Sequence, residues 1–169
     1  MQVVERASLS TPLGSLSIFA RGRVIVAVEF HGRNRAIPGL RRWIPRMVVE
    51  DSKDPARLSE PLARYFEGHL DALADVTVAP FGTVFQQEVW AMLRQIPFGD
   101  TISYSEVARR IQRPKAVRAV GLANGQNPIP IIIPCHRVIG ANGSLTGYGS
   151  GLDRKDWLLR HEVRCSTLS

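Results

Sequence analysis

From Ser103 to Gly140 the chain reads SYSEVARRIQRPKAVRAVGLANGQNPIPIIIPCHRVIG. Ser103-Tyr104-Ser105-Glu106 matches a capping box, in which side chains satisfy the orphan amides of a helix start. A helix is expected from there to about Ile111. Gln112-Arg113-Pro114-Lys115 forms a turn, and a second helix is expected from Ala116 to about Asn124, closed by Gly125. Two short helices joined by such a turn, with arginines on the second, read as a helix-turn-helix. Ala116, Ala119, Gly121 and Ala123 leave the second helix nearly bare around Arg118. Its backbone can then approach another surface closely while one long cation projects. Beyond it, Pro128, Pro130 and Pro134 exclude helix. Ile129, Ile131, Ile132 and Ile133 bury the run, which is expected to be extended or looped. It delivers Cys135 and His136 on a stiff support, and a thiol beside an imidazole there is a candidate nucleophile. The same pair also fits a buried structural cysteine next to a surface histidine.

Working outward, Thr83-Val84-Phe85-Gln86 is a second capping box. Phe85, Val89, Leu93 and Ile96 make one apolar face after it, and Pro97-Phe98-Gly99 ends the helix. Downstream, the segment Gly140–Gly151 is rich in glycines, but not in the order of a phosphate-binding loop, which excludes triphosphate binding by that route. Its Tyr148 suits stacking on a flat group. Asp153 is expected to cap a last helix with Trp157, Leu158 and His161 inward and Glu162 near its end.

The first half reads as a small α/β unit. Strands are expected at Gln2–Leu9, Ser15–Ala20 and Arg23–Phe30, joined by Thr11-Pro12-Leu13-Gly14 and Arg21-Gly22 turns. Residues 31–53 look like arginine-rich loop with one short helix. After Asp54-Pro55 a helical pattern carries Leu58, Leu62, Tyr65 and Phe66, and Pro61 implies a start near Ser59 or a kink. His31 and His69 have no partners at ligand spacing, so this half shows no chemistry. The expected organisation is an α/β domain over 1–78 and a mostly helical domain with the helix-turn-helix over 79–169.

The chain has 169 residues and 22 basic against 15 acidic side chains, a net charge of +7. After Pro80 the balance is 11 to 6, so that half carries most of the excess, and Arg109, Arg110, Arg113, Lys115 and Arg118 cluster there. Such charge favours a polyanion, nucleic acid first. No run of eighteen apolar residues exists, and the N-terminus lacks a basic segment before an apolar core. Cys135 and Cys165 are the only cysteines, too few for a disulfide framework and without zinc spacing. A cytoplasmic, nucleoid-associated protein without membrane or metal is expected.

Asn127-Pro128, Pro134-Cys135-His136-Arg137, the Gly147-Tyr148 loop and Lys155 followed by Glu162 occur in one order. In this the chain resembles the methylated-DNA–protein-cysteine methyltransferases, the O6-alkylguanine-DNA alkyltransferases, from about Phe81 to Glu162. The first half is similar to their ribonuclease-H-like N-terminal domain. The resemblance implies single-use transfer of an alkyl group from O6 of guanine, or less readily O4 of thymine, onto Cys135, with no cofactor. It implies that Glu162 orients His136, which acts on the thiol through a bridging water. Tyr104 donates a proton to the leaving guanine and crowds the target phosphate, and Arg118 fills the gap of a flipped-out base in the minor groove, with Ala119 and Gly121 close to DNA. Asn127 ties the recognition helix to the active-site loop. Tyr148 walls the base, backbone groups of Cys135, Val138 and Gly149 read its edge, and Pro130 lines the alkyl pocket. The implied partner is double-stranded DNA carrying O6-alkylguanine, bound by a monomer and cooperatively along the duplex. Gln112 stands where the family usually has glycine.

Two other classes fit parts of the pattern: a helix-turn-helix regulator without chemistry, and a cysteine hydrolase that turns over. Stoichiometry separates the three, with none, one or many events per chain.

Overall fold

The structure is a computed structural model that describes residues 1–167. It divides into two compact units, Met1–Phe81 and Gly82–Ser169. In the first, β1 (Gln2–Thr11), β2 (Gly14–Arg21) and β3 (Val24–Phe30) form an antiparallel meander. A short α1 (Ala36–Trp43) leads to β4 (Met47–Asp51), which returns parallel to β1 and gives the order β3-β2-β1-β4. Strand β4 was not expected, because its apolar run is only Met47-Val48-Val49 and gives too short an alternation to read as a strand. Its register, Val3 beside Val48 and Val4 beside Val49, is set by pairing rather than by local pattern. Val4, Phe19, Val26, Ala27, Leu40, Ile44 and Met47 make a core between the sheet and α1.

Helix α2 (Pro55–Phe66) does not start near Ser59, one of the two alternatives that Pro61 implied. It starts at Pro55, where proline's missing N–H costs nothing, with the Asp54 carboxylate accepting from the Arg57 amide, and it runs through Pro61. Leu58, Leu62 and Tyr65 are buried at helical spacing, and this face outweighs the hydrogen bond lost at Pro61.

The second unit begins with α3 (Val84–Leu93), whose Thr83–Gln86 capping box is formed in both directions. Gly82 is required before it, since a Cβ there would lie 2.5 Å from the Trp90 ring. Trp90 in turn donates its indole N–H to the Ala123 carbonyl at 2.9 Å. Next come β5 (Ile102–Ser103), α4 (Tyr104–Arg110) and α5 (Val117–Gly125). At α4 only half of the expected box forms: Ser103 accepts from the Glu106 amide, but the Glu106 carboxylate turns to Arg109 and Arg110. Charge-assisted bonds to two guanidiniums outcompete one to a neutral amide.

The α4–α5 turn closes with Arg113 N–H on Ala108 O and Gln112 N–H on Arg109 O, a Schellman pattern. Gln112 holds φ at +62°, the left-handed region usually left to glycine, so the turn keeps its shape at a backbone cost of about 1–3 kcal/mol. The proline-rich run follows, then β6 (Val138–Ile139), paired parallel to β5, and α6 (Leu152–Ser166). Asp153 does not cap α6. Gly151, at φ +104°, is the N-cap, and Asp153 lies in the first turn, where its charge suits the helix dipole. Among the described residues no helix is long and apolar enough to cross a membrane.

Candidate active site and nucleic-acid interface

The run from Asn127 to Arg137 is a chain of tight turns rather than an extended strand. Asn127 bridges it, its Oδ1 accepting from Ile129 N–H at 2.9 Å and its Nδ2 donating to Ile133 O at 2.7 Å. Inside that bracket Ile132 N–H bonds Pro130 O, and Ile131 takes φ +75° while buried. This is the less common, strained form of γ-turn, which a β-branched residue adopts only when its surroundings over-determine it. Pro134 then centres an inverse γ-turn, with Cys135 N–H on Ile133 O at 2.8 Å.

Cys135, His136 and Arg137 form one 3-10 turn, and all three are buried. Of the two forms expected for this run, extended or looped, the structure shows the looped one, because proline-imposed turns replace a strand. Asn124, buried on α5, donates to the Cys135 carbonyl at 3.3 Å. The direct polar link from α5 to Cys135 thus runs through Asn124, while Asn127 pins the turn beside it.

Glu162, fully buried on α6, is the hub. Its Oε1 lies 2.7 Å from His136 Nε2, and Arg137 reaches both oxygens, with Nη2 at 2.6 Å from Oε1. Arg137 Nη1 also donates to Ile96 O at 2.6 Å. Burial alone pushes the Glu162 carboxyl up, but His136 and Arg137 outweigh it and hold it down to about 2. His136 is pushed below its ordinary value by burial, and Arg137 and Lys155 push the same way against the pull of Glu162. A neutral His136 donating from Nε2 to the carboxylate has its lone pair at Nδ1, which is buried with no hydrogen-bond partner among the described residues. That is the state of a base.

Lys155 lies one turn before Leu158 on the inward face of α6 and is also fully buried. Its ammonium donates to Val138 O at 2.6 Å and Thr146 O at 2.7 Å and sits 5.9 Å from the Tyr104 ring centroid. Burial pushes its pKa down and the neighbouring Cys135 charge pushes it up. Electrostatic interaction is mutual, so Lys155 equally favours a thiolate at Cys135. Tyr104 donates its hydroxyl to the same Thr146 carbonyl at 3.0 Å, and burial raises its pKa, with the Cys135 charge acting in the same direction.

Of the residues singled out in the sequence, His136 and Glu162 are hydrogen-bonded, Cys135 lies in the same turn as His136, and Tyr104 shares the Thr146 carbonyl with Lys155. Val138, Pro130 and Tyr148 are buried in the same unit, and Gly149 is exposed on the loop. Arg118 and Ala119 are exposed on α5, and Gly121 faces Tyr104, where a Cβ would meet the ring at 3.8 Å. Cys165 stands apart from this site, its Sγ 3.6 Å from His161 Nδ1. Arg137, Lys155 and Asn124 carry roles that the sequence reading did not give them. The available signal was charged residues on an inward stripe: 155, 158 and 162 share one helical face.

The basic cluster also differs from its expectation. Arg109 and Arg110 pair with Glu106, and Arg113 with Glu88, so Lys115 and Arg118 are the members exposed with no ion pair among the described residues. Among the described residues no group of three or more His, Cys, Asp or Glu side chains is gathered as for a metal.

Residues 84–164 match the family described as 6-O-methylguanine DNA methyltransferase, DNA binding domain. The methylated-DNA–protein-cysteine methyltransferase of Methanosarcina acetivorans is 54% identical, over 94% of this chain and 98% of the relative. That of Salmonella typhimurium is 44% identical, over 91% and 92%. The crystal structure of Mycobacterium tuberculosis OGT in complex with DNA superposes with a TM-score of 0.80 at 39% identity, covering 96% of this chain and 94% of that one. With that identity sustained over nearly the whole length of both chains, this chain belongs to the methylated-DNA–protein-cysteine methyltransferase family.

Proposed function

We propose that this protein repairs DNA by direct reversal, moving an alkyl group from O6 of guanine in duplex DNA onto its own Cys135, once per chain. O4 of thymine is the poorer donor. The observation that carries the reading is the buried Cys135-His136-Arg137 turn closed on Glu162 in a member of this family. An alkyl carbon on a guanine oxygen calls for in-line attack by a soft nucleophile. The S–C bond forms as the C–O6 bond breaks, and a proton restores neutral guanine, so the step balances without a co-reactant.

His136 is the base that takes the thiol proton through one bridging water, from the free lone pair of its Nδ1. Glu162 fixes its tautomer, and Arg137 keeps Glu162 ionised. Lys155 favours the thiolate until transfer turns the sulfur into a neutral thioether. Tyr104, whose raised pKa keeps its hydroxyl protonated, donates to the departing guanine after exchanging its bond to Thr146.

The helix-turn-helix enters the minor groove through α5. Arg118 occupies the space left by the flipped base, and Ala119 and Gly121 permit close approach. Asn127 holds the reactive turn in register with α5. Tyr148 and Pro130 wall the base and its alkyl group, while backbone groups of Cys135, Val138 and Gly149 read the base edge. A monomer working on DNA in the cytoplasm, on the nucleoid, fits this chemistry. Incubation with duplex DNA carrying radiolabelled O6-methylguanine tests the reading: one label per chain on Cys135 supports it, and label elsewhere or repeated turnover overturns it.

A further inference from the structure

Between Glu29 and Glu50 the first unit carries Arg33, Arg35, Arg41, Arg42 and Arg46 and no acidic residue. The rest of that unit has six basic against nine acidic side chains, so its charge is strongly polarised. Arg35 is the N-cap of α1, Arg41 and Arg42 lie in its last turn, and Arg46 follows it in the turn before β4. All four are exposed, and among the described residues none of these side chains makes an ion pair or hydrogen bond. The contrast with the helix-turn-helix is sharp, since there three of the five clustered cations are already neutralised by Glu88 and Glu106. Compensation of the α1 dipole accounts for Arg41 and Arg42 but not for Arg35, a cation at the end where cations are disfavoured. Trp43, beside them, is 52% exposed although one face stacks on Phe81.

We propose that this arginine face of the N-terminal unit is a second DNA-binding surface, which holds the phosphate backbone of duplex DNA without reading its sequence. The proposal rests on the function above, because it takes the protein's polyanion to be duplex DNA. From Arg35 to Arg42 the helix advances about 10 Å, a length over which a duplex presents several phosphates. Unpaired arginines cost nothing to recruit, whereas Arg109, Arg110 and Arg113 must first give up carboxylate partners. The surface supplies affinity and residence on undamaged DNA, leaving lesion recognition to α5.

The test compares the full chain with Arg41→Gln/Arg42→Gln/Arg46→Gln and with Arg41→Lys/Arg42→Lys/Arg46→Lys, in binding to an undamaged duplex from 50 to 200 mM salt. Each phosphate left without its arginine should reduce the slope of log K against log salt by about 0.9. The glutamine variant should therefore lose about threefold in affinity per such phosphate at 50 mM relative to 200 mM salt. The lysine variant should keep the parental slope, since the attraction needs charge and not a fork. Alkyl transfer from free O6-benzylguanine should stay within about twofold in both, as expected for exposed side chains far in sequence from Cys135. An unchanged slope in the glutamine variant overturns the proposal, as does a reduced slope in the lysine variant or an equal loss with the free base. Failure of the parent protein to accept label from alkylated duplex sinks the repair reading instead, and is scored separately from the slopes.

Discussion

Replacing Glu162 by glutamine isolates the energetic centre of the site. The substitution keeps the shape but removes the charge that His136 and both ends of the Arg137 fork share. Breaking a buried pair from one side strands the other ion and costs about 3–5 kcal/mol. The proton linkage gives an independent figure. A carboxyl held at about 2 in place of 4.5 corresponds to about 3 kcal/mol of preferential stabilisation of the ionised form in the folded chain. Because the folded value is the lower one, this stabilisation is complete above about pH 4.5 and is lost as pH falls towards 2. Urea unfolding at pH 7, followed by tryptophan fluorescence, reads the loss, since Trp90 and Trp157 lie in the same unit as Glu162. Arg137→Met should cost a similar amount, and the double variant should cost far less than the two losses added, with a coupling of up to about 3 kcal/mol. Additive losses, or a Glu162→Gln cost below about 1 kcal/mol, would refute the hub.

Cys135→Ser should abolish label transfer and leave duplex binding in place, while Cys165→Ser should change neither in a stoichiometric labelling assay. Arg118→Ala should impair repair of duplex DNA far more than reaction with free O6-benzylguanine, because only the duplex demands base extrusion at a few kcal/mol; equal losses would assign Arg118 to the fold. Since burial lowers the His136 pKa, the unfolded chain gains the proton first, so stability should fall as pH drops below about 6.5. His136→Leu should remove that upper limb in pH-dependent urea melts and leave the limb below 4.5. The alkylated protein should melt lower than the fresh protein, by about 1–3 kcal/mol of overpacking in a filled site; an unchanged melting temperature with both methyl and benzyl donors would show a pocket that absorbs the group.

The helix-turn-helix was legible because its signals are local: a hydroxyl at a cap, a turn four residues long, small residues around Arg118. The three strands of the meander announced themselves by alternation between glycine turns. Strand β4 did not, because Met47-Val48-Val49 becomes a strand only by pairing with β1. Whether the Cys135 run is extended or looped was undecidable from local sequence for a related reason. Prolines exclude helix, but choosing turn over strand depended on the Asn127 bracket, whose two bonds reach residues 129 and 133. Cys135, His136 and Glu162 were visible as a set through family resemblance. Lys155 and Arg137 were harder, because a buried cation is disfavoured until its carbonyl or carboxylate partners are known, and those partners lie between 9 and 41 positions away. The basic cluster at 109–118 was counted correctly, yet formal charge in a sequence does not say which charges are already answered.

The order of residues along the chain gives the site a built-in timing. Cys135 precedes α6, and both its electrostatic partner Lys155 and the carboxylate that sets His136 belong to that helix. As the polypeptide leaves the ribosome, the thiol emerges first, as an ordinary cysteine beside a histidine of unfixed tautomer. Only when α6 has been synthesised and has docked does the imidazole acquire its fixed proton and the sulfur its cation. The helix-turn-helix precedes Cys135 in the chain, so the polar partners of the site are the last part of the C-terminal unit to be supplied.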